Sequence, residues 1–370
     1  MKKREFIRSC LLAAGGISVC PDILCNSPSL QVKKKNYKLA LFQEETARGV
    51  LCNICHNECV LKEGELSDCR NRIVKDGKLY TMAYGNPCAV HLDPVEKKPL
   101  YHFLPSTLTF SIATAGCNLA CLNCQNWTIS QTSPGKTRNY DLMPGDILAR
   151  TLDNNCKSIS YTYSEPTCFY EYMFDTATLA RQSEVRNIMV SNGYIKEEPL
   201  LKLSSVIDAA NIDLKSFNDK TYLKLTGGKL GPILDTLKIM KQQGVWLEIT
   251  NLIVPEWTDN MDEISQMCKW LNENGFNDTP LHFSRFTPMY KLEQLPPTPV
   301  STLDRAWEIA RGEGIKHVYI GNVPGTHASD TICGSCGKKV IERRGYTIIS
   351  DNIENGRCKF CNSVIEGVWD

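Results

Sequence analysis

No stretch of this sequence reaches the ~18 to 20 continuous apolar residues that a bilayer-crossing helix needs, so no transmembrane helix is predicted. Charge of one sign is missing too. Lys and Arg number 42 against 41 Asp and Glu, with six His, which leaves no net field to attract nucleic acid or an anionic membrane surface. There is no low-complexity tract and no repeat at a fixed period, and at 42% hydrophobic the chain is ordinary globular material. The 18 Cys are about 5% of 370 residues, below the ~8 to 10% of a small disulfide scaffold, so their spacing must decide what they do. The length exceeds the ~250 to 300 residues at which one core stops growing, which predicts one large domain with smaller appendages.

Residues 1–30 stand apart. Met1 to Arg8 is basic, Ser9 to Pro21 is uncharged, and Lys3-Arg4-Glu5-Phe6-Ile7-Arg8 resembles a twin-arginine export signal with Lys in place of its first Arg. The other reading is a plain basic N-terminus. Cys10, Cys20 and Cys25 have no metal spacing there, and Gln31 to Asn36 is a Lys-rich connector.

From Thr107 onward, short β-branched or aromatic runs alternate with helical periods, the mark of βα units around a parallel sheet. The strands are predicted at 107–114, 158–163, 186–192, 209–215, 245–254, 281–287 and 316–322. Between them Ile233, Leu234, Leu237 and Met240 share one helical face, as do Ile264, Met267, Cys268 and Leu271; both stripes read as core. The span of about 216 residues falls short of the ~250 of an eight-stranded barrel, so an incomplete TIM-like (β/α)6 barrel is expected over 106–325, with functional groups at the C-terminal strand ends. A Cys-rich segment at 45–105 and a second at 330–370 flank it. Residues 85–105, punctuated by Pro, read as an extended approach to the first strand.

After the first predicted strand comes Ala115-Gly116-Cys117-Asn118-Leu119-Ala120-Cys121-Leu122-Asn123-Cys124. Structural zinc demands four ligands and a disulfide framework has no use for three, whereas a cubane iron-sulfur cluster takes one Cys per iron and would keep one iron open. Gly116 lets the backbone approach closely, and Leu119, Leu122 and Trp127 could shield the cluster from water.

This Cys-x3-Cys-x2-Cys loop after a strand resembles the signature of the radical S-adenosylmethionine (SAM) superfamily. The later strand ends are similar as well: Ser164-Glu165-Pro166, Ser191-Asn192-Gly193, Asp213-Leu214-Lys215, Ile253-Val254-Pro255 and His282-Phe283-Ser284-Arg285. The resemblance implies a 4Fe-4S cluster on Cys117, Cys121 and Cys124. It also implies SAM beside Glu165, which would accept from its ammonium, with Lys215 against its carboxylate and Ser191, Asn192 and Gly193 near its ribose or methionyl end. Asp213 and Arg285 complete the expected cofactor-binding set, Lys215 being alternatively the ion-pair partner of Asp213, and His282 and Arg285 alternatively bonding within the strand layer. One-electron reduction of the cluster would split SAM and yield a 5'-deoxyadenosyl radical that abstracts hydrogen.

Cys333-x2-Cys336 and Cys358-x2-Cys361 read as two metal knuckles of a zinc-ribbon or rubredoxin-like site, with a hairpin about Gly345 between them. Cys52-x2-Cys55-x3-Cys59-x9-Cys69 is a further four-thiol set that zinc or an auxiliary iron-sulfur cluster would fit, and His56 could replace one thiol. Cys88, Cys156 and Cys168 are singletons read as packing. These sets, residues 85–105 and the triplet together resemble the radical SAM member of the AmmeMemoRadiSam group, a relative of pyruvate formate-lyase activating enzymes, from about Leu51 to Trp369. Activases place an Asp immediately before the Ser/Thr-Asn-Gly turn where this chain has Val190, which argues against glycyl-radical generation.

The expected function is therefore reductive SAM cleavage with hydrogen abstraction from an unidentified substrate. A glycyl-radical activase is the alternative, and a non-catalytic multi-zinc module the alternative of another class. Expected partners are an electron donor such as flavodoxin or ferredoxin and the two other proteins of the AmmeMemoRadiSam group, with no nucleic acid. Supply of SAM and low-potential electrons favours the cytoplasm, and export is the alternative.

Overall fold

The structure is a computed structural model that describes residues 37–370. The twin-arginine-like start, Cys10, Cys20, Cys25 and the Lys-rich connector lie outside the described residues. No described helix is long and apolar enough to cross a membrane.

The N-terminal part forms two small antiparallel sheets. One combines β1 (Lys38–Leu39), β5 (Arg72–Lys75) and β6 (Lys78–Thr81); the other combines β2 (Gln43–Thr46), β3 (Gly49–Cys52) and β4 (Val60–Leu61). A central sheet follows, made of β7 (Ala89–Pro94), β8 (Leu108–Ala113), β9 (Ser158–Tyr161), β10 (Arg186–Ser191), β11 (Ala209–Asp213), β12 (Trp246–Ile253), β13 (Leu281–Arg285) and β14 (Val318–Gly321). Its strands lie in sequence order from β7 at one edge to β14 at the other, and β8 to β14 are all parallel. All seven predicted strands are present.

β7 departs from the expectation. Residues 89–94 pair antiparallel with β8 from Ala89–Ala113 to Pro94–Leu108, so the central sheet gains an eighth, edge strand from what was read as approach. An edge tolerates Pro94 because its missing N–H faces no partner strand. Short strands that are buried on both faces explain the order of the rest. In β8 and β9 the inward hydroxyls find each other: Thr109 Oγ1 lies 2.7 Å from Ser160 Oγ and donates to the Ser158 carbonyl at 3.2 Å.

Helices cross back over the sheet between parallel strands, as such connections require. In Leu230–Gln242, Ile233, Leu237 and Met240 are buried, and in Met261–Glu273 so are Ile264, Met267, Cys268 and Leu271, the Ile, Leu and Met side chains each worth ~1.5–3 kcal/mol if fully withdrawn from water. Burial pushes the Cys268 thiol up to about 12, in keeping with a small apolar filler. Asn260 caps the second helix by accepting from the amides of Asp262 and Glu263.

At the C-terminus β15 (Thr331–Ile332), β16 (Lys339–Arg344) and β17 (Thr347–Asp351) form one antiparallel sheet, and β18 (Ile353–Glu354) pairs with β19 (Arg357–Cys358). The β16–β17 hairpin turns about Gly345. The tail then returns: Leu104 N donates to Val368 O at 2.7 Å and Val368 N to His102 O at 2.8 Å.

Candidate active site and thiol clusters

The loop after β8 is held from several sides. Ala120 N donates to Thr226 O and Leu122 N to Leu225 O, while Gln131 Nε2 donates to Leu119 O. Gly116 has φ +103, and a Cβ there would stand 2.4 Å from the Cys69 carbonyl oxygen, so only glycine fits this crossing. Leu119 is buried and Leu122 half-buried, but Trp127 is 42% exposed and stacks on Tyr290; it does not shield the loop as expected.

Two N–H groups point at the first sulfur: Leu119 N at 3.4 Å and Asn192 Nδ2 at 3.7 Å from Cys117 Sγ. Burial pushes the Cys117 thiol well above its ordinary range, with the Glu165 carboxylate adding to it, and pushes Cys121 up to about 11 against the opposing pull of Lys215. Neutral thiols are thus what this pocket favours without a metal; thiolates need a cation beside them. Among the described residues, only Cys333, Cys336, Cys358 and Cys361 bring metal-ligating atoms to within 4.8 Å of one another. The triplet is therefore spread wider than the ligands of a single ion. Three such thiols, the first with two N–H donors on its sulfur, fit a cluster that gives each cysteine its own iron.

Glu165 is neither a solvated loop carboxylate nor a free one. It is 2% exposed: Oε1 accepts from Ser191 Oγ at 2.7 Å and Thr167 N at 3.0 Å, and Oε2 accepts from Asn192 N at 2.9 Å. Burial raises its pKa, and those three donors pull the other way. The carboxylate shapes the turn 191–193, where Gly193 has φ +69 and donates to Ser191 Oγ. That turn aims Asn192 at Cys117 and at Asn118, whose own Nδ2 donates to Tyr194 O. Asn118 escaped sequence reasoning, although it follows Cys117 directly.

Lys215 does pair with Asp213, at 2.8 Å, yet it also acts on Cys121 and Cys124. Desolvation works against its charge, but Asp213 and Cys121 outweigh it and raise its pKa well above the usual lysine value. His282 bonds Glu248 at 2.6 Å inside the strand layer. Arg285 donates from Nε to Thr298 O and lines a cavity of about 810 Å³ at the ends of β13 and β14. Asn123 and Gln125 of the cysteine loop line the same cavity, and the β16–β17 hairpin closes its other side through Arg343, Arg344 and Tyr346.

Two buried groups in that wall were not foreseen. Glu96, 1% exposed, has one oxygen bonded to Ser106 N and leaves Oε2 with no hydrogen-bond partner among the described residues; Arg343 leaves Nε in the same condition. Only tertiary folding brings them together, so no local pattern could have revealed them. Nearby, buried Lys98 pairs with Asp93 at 2.6 Å, and Tyr163 donates to the same carboxylate; burial drops the Lys98 pKa to about 8.

Of the outlying thiols, Cys333 and Cys361 lie 3.7 Å apart and Cys336 and Cys358 3.8 Å, close to the ~3.8 Å edge of a tetrahedron with ~2.3 Å metal–sulfur bonds. Cys52, Cys55, Cys59 and Cys69 share one cavity wall, joined by Cys168. His56 turns away from it to the Ile195 carbonyl, so it does not replace a thiol.

The family model described as the radical SAM superfamily matches residues 111–271. An uncharacterized protein of Methanocaldococcus jannaschii is 46% identical over 319 residues, covering 86% of this chain and 95% of the relative. Pyruvate formate-lyase 1-activating enzyme of Escherichia coli is 23% identical over 218 residues, covering 55% of this chain and 89% of that one. A crystal structure of a radical SAM methyltransferase from Sphaerobacter thermophilus has a TM-score of 0.46 and 15% identity, covering 64% of this chain and 71% of that one. The family match, with the cysteine loop inside the matched region and the parallel sheet that carries it, shows that this chain contains a radical SAM superfamily domain over residues 111–271.

Proposed function

We propose that this protein is a radical SAM enzyme of the AmmeMemoRadiSam type, acting on a small polar substrate. Cys117, Cys121 and Cys124 would hold a 4Fe-4S cluster, and the turn 191–193 with Asp213 and Lys215 would take SAM beside it. When bound, that pair supplies reductive cleavage of SAM and abstraction of a hydrogen atom. The chain's own part is positioning and exclusion of water. Glu165 fixes the turn, Asn192 donates to sulfur, and Lys215 sets positive charge against the thiolates. The eight-stranded sheet, read as an incomplete barrel, opens at its C-terminal ends onto the 810 Å³ cavity. There the polar lining, with Asn123, Gln125 and Arg344, suits a polar substrate.

The observation that carries this reading is the convergence of an Asn donor and a Lys charge on three spread thiols, one buried and two half-buried. Anaerobically reconstituted protein given dithionite and SAM should release 5'-deoxyadenosine. Colourless protein that releases none would overturn the proposal.

The activase likeness favours a second reading, in which the abstracted hydrogen comes from a partner's glycine. Val190, packed among Val95, Leu100 and Ile188, leaves no carboxylate where activases have one. A stable glycyl radical in a partner, seen by electron paramagnetic resonance, would decide for it. A flavodoxin or ferredoxin as donor, the two companion proteins of the group and a cytoplasmic site of action belong to this proposal.

A further inference from the structure

We infer that Cys52, Cys55, Cys59 and Cys69 hold a second iron-sulfur cluster of the 4Fe-4S class, rather than zinc. The strongest support is a contrast within one molecule. The C-terminal four are drawn together to single-ion spacing, whereas no such convergence occurs among the N-terminal four, although all of them line one enclosed cavity. Ligands of a single zinc must sit ~3.8 Å from each other. A cube puts each thiolate on its own corner, so its sulfurs stand farther apart. The N-terminal cavity is built around something wider than an ion.

Its wall has the chemistry such a cluster requires. Cys52 N donates to Cys59 O and Glu58 N to Cys55 O, which closes the loop that carries three of the thiols. Ser67 Oγ lies 3.0 Å from Cys69 Sγ, and Cys168 lines the same cavity. Hydrogen bonds onto sulfur of this kind tune iron-sulfur centres. Arg72, 1% exposed and paired with Glu171, adds a buried cation that acts on Cys52 and Cys69, which suits an anionic cluster.

The position suggests what the cluster does. Asn118, next to Cys117, lines this cavity, and its carbonyl accepts from Asn57 at 2.8 Å. Cys168, three residues after Glu165, lines it too, and the Cys69 backbone touches Gly116. The two thiol sets share a wall. A low-potential flavin or iron-sulfur protein would lose one electron to the outer cluster, which passes it to the triplet cluster and returns to its starting state. Only this relay step rests on the function proposed above; the site itself does not.

The test counts acid-labile sulfide in full-length protein reconstituted without oxygen, because zinc and rubredoxin-like iron contribute none. Native protein should carry about eight sulfides, the Cys117→Ala/Cys121→Ala/Cys124→Ala variant about four, and the further Cys55→Ser/Cys59→Ser variant none. Zinc without sulfide in the triplet variant would overturn the inference. Should that variant fail to fold, Cys55→Ser/Cys59→Ser alone should drop the count from about eight to about four while SAM still alters the remaining electron paramagnetic resonance signal. An unchanged count would overturn it. About four sulfides in both native protein and triplet variant would keep this site and overturn the proposed function.

Discussion

The triplet loop and the C-terminal knuckles use the same ligand atom for opposite ends. At the C-terminus four thiols converge from two tight turns, Cys336 and Cys361 are exposed, and every position of a tetrahedron is filled. In the triplet three thiols are spread, half-buried or buried, and organised by side chains from other strands: Asn192 after β10 and Lys215 after β11. A closed set stabilises a fold and leaves nothing for a reactant to bind; an incomplete set, supported from outside its own loop, can react. The number of thiols matters less than who holds them.

The sharpest way to break this comparison is to remove thiols from each site in turn. Cys117→Ala should take 5'-deoxyadenosine production to background while leaving C-terminal metal content unchanged. Cys333→Ser/Cys358→Ser should do the reverse. It should release the C-terminal metal and loosen residues 330–370, seen as increased proteolysis there, since metal binding in such modules is itself folding free energy. SAM cleavage without substrate should stay within about tenfold, or ~1.4 kcal/mol of barrier. Equal loss of SAM cleavage in both variants would erase the distinction drawn above.

Much of this was legible because it is local. The seven parallel strands announce themselves by β-branched runs, the helical stripes by their period, and both thiol motifs by spacing. β7 was missed because Asp93 and Pro94 interrupt its alternation, and its pairing with β8 is not a property of residues 89–94 alone. Glu165 was placed rightly at a strand end, but its three donors come from residues 167, 191 and 192, and no spacing rule shows that both oxygens are engaged. Glu96 and Arg343 lie 247 positions apart in sequence and meet only across the cavity. Trp127 read as shielding because it is large and apolar; the fold turns it outward onto Tyr290.

A smaller perturbation separates the two sites by backbone rather than ligand. Gly116 needs φ +103 and has no room for a Cβ, whereas Gly334 has no atom within 4 Å of where its Cβ would lie. Gly116→Ala combines backbone strain of ~1–3 kcal/mol with a backbone clash of similar size, so it should lower cluster loading and the melting temperature together. Gly334→Ala should leave C-terminal metal content as it was. Normal iron in Gly116→Ala would mean that the contact with Cys69 is not needed to shape the loop.

The smallest effect concerns how the C-terminal tail is fastened. Glu366 bonds His317 Nε2 at 3.2 Å and Lys316 Nζ at 3.1 Å, and those partners, His317 first, hold its carboxyl down to about 2 from an ordinary 4.5. Because the folded value is depressed, the stabilisation is fully present above the unfolded value and disappears as pH falls from about 4.5 through about 2. The side chain is 30% exposed, so solvent screening reduces the benefit to roughly 1 kcal/mol at neutral pH. Glu366→Gln should therefore unfold at lower denaturant than the native protein at pH 7, and the gap should narrow steadily below pH ~4.5. Metal loss in acid affects native and variant alike and cancels in that gap. A gap that stays constant down to pH ~3 would show that the tail is held by its backbone bonds to His102 and Leu104, with the ion pairs adding nothing.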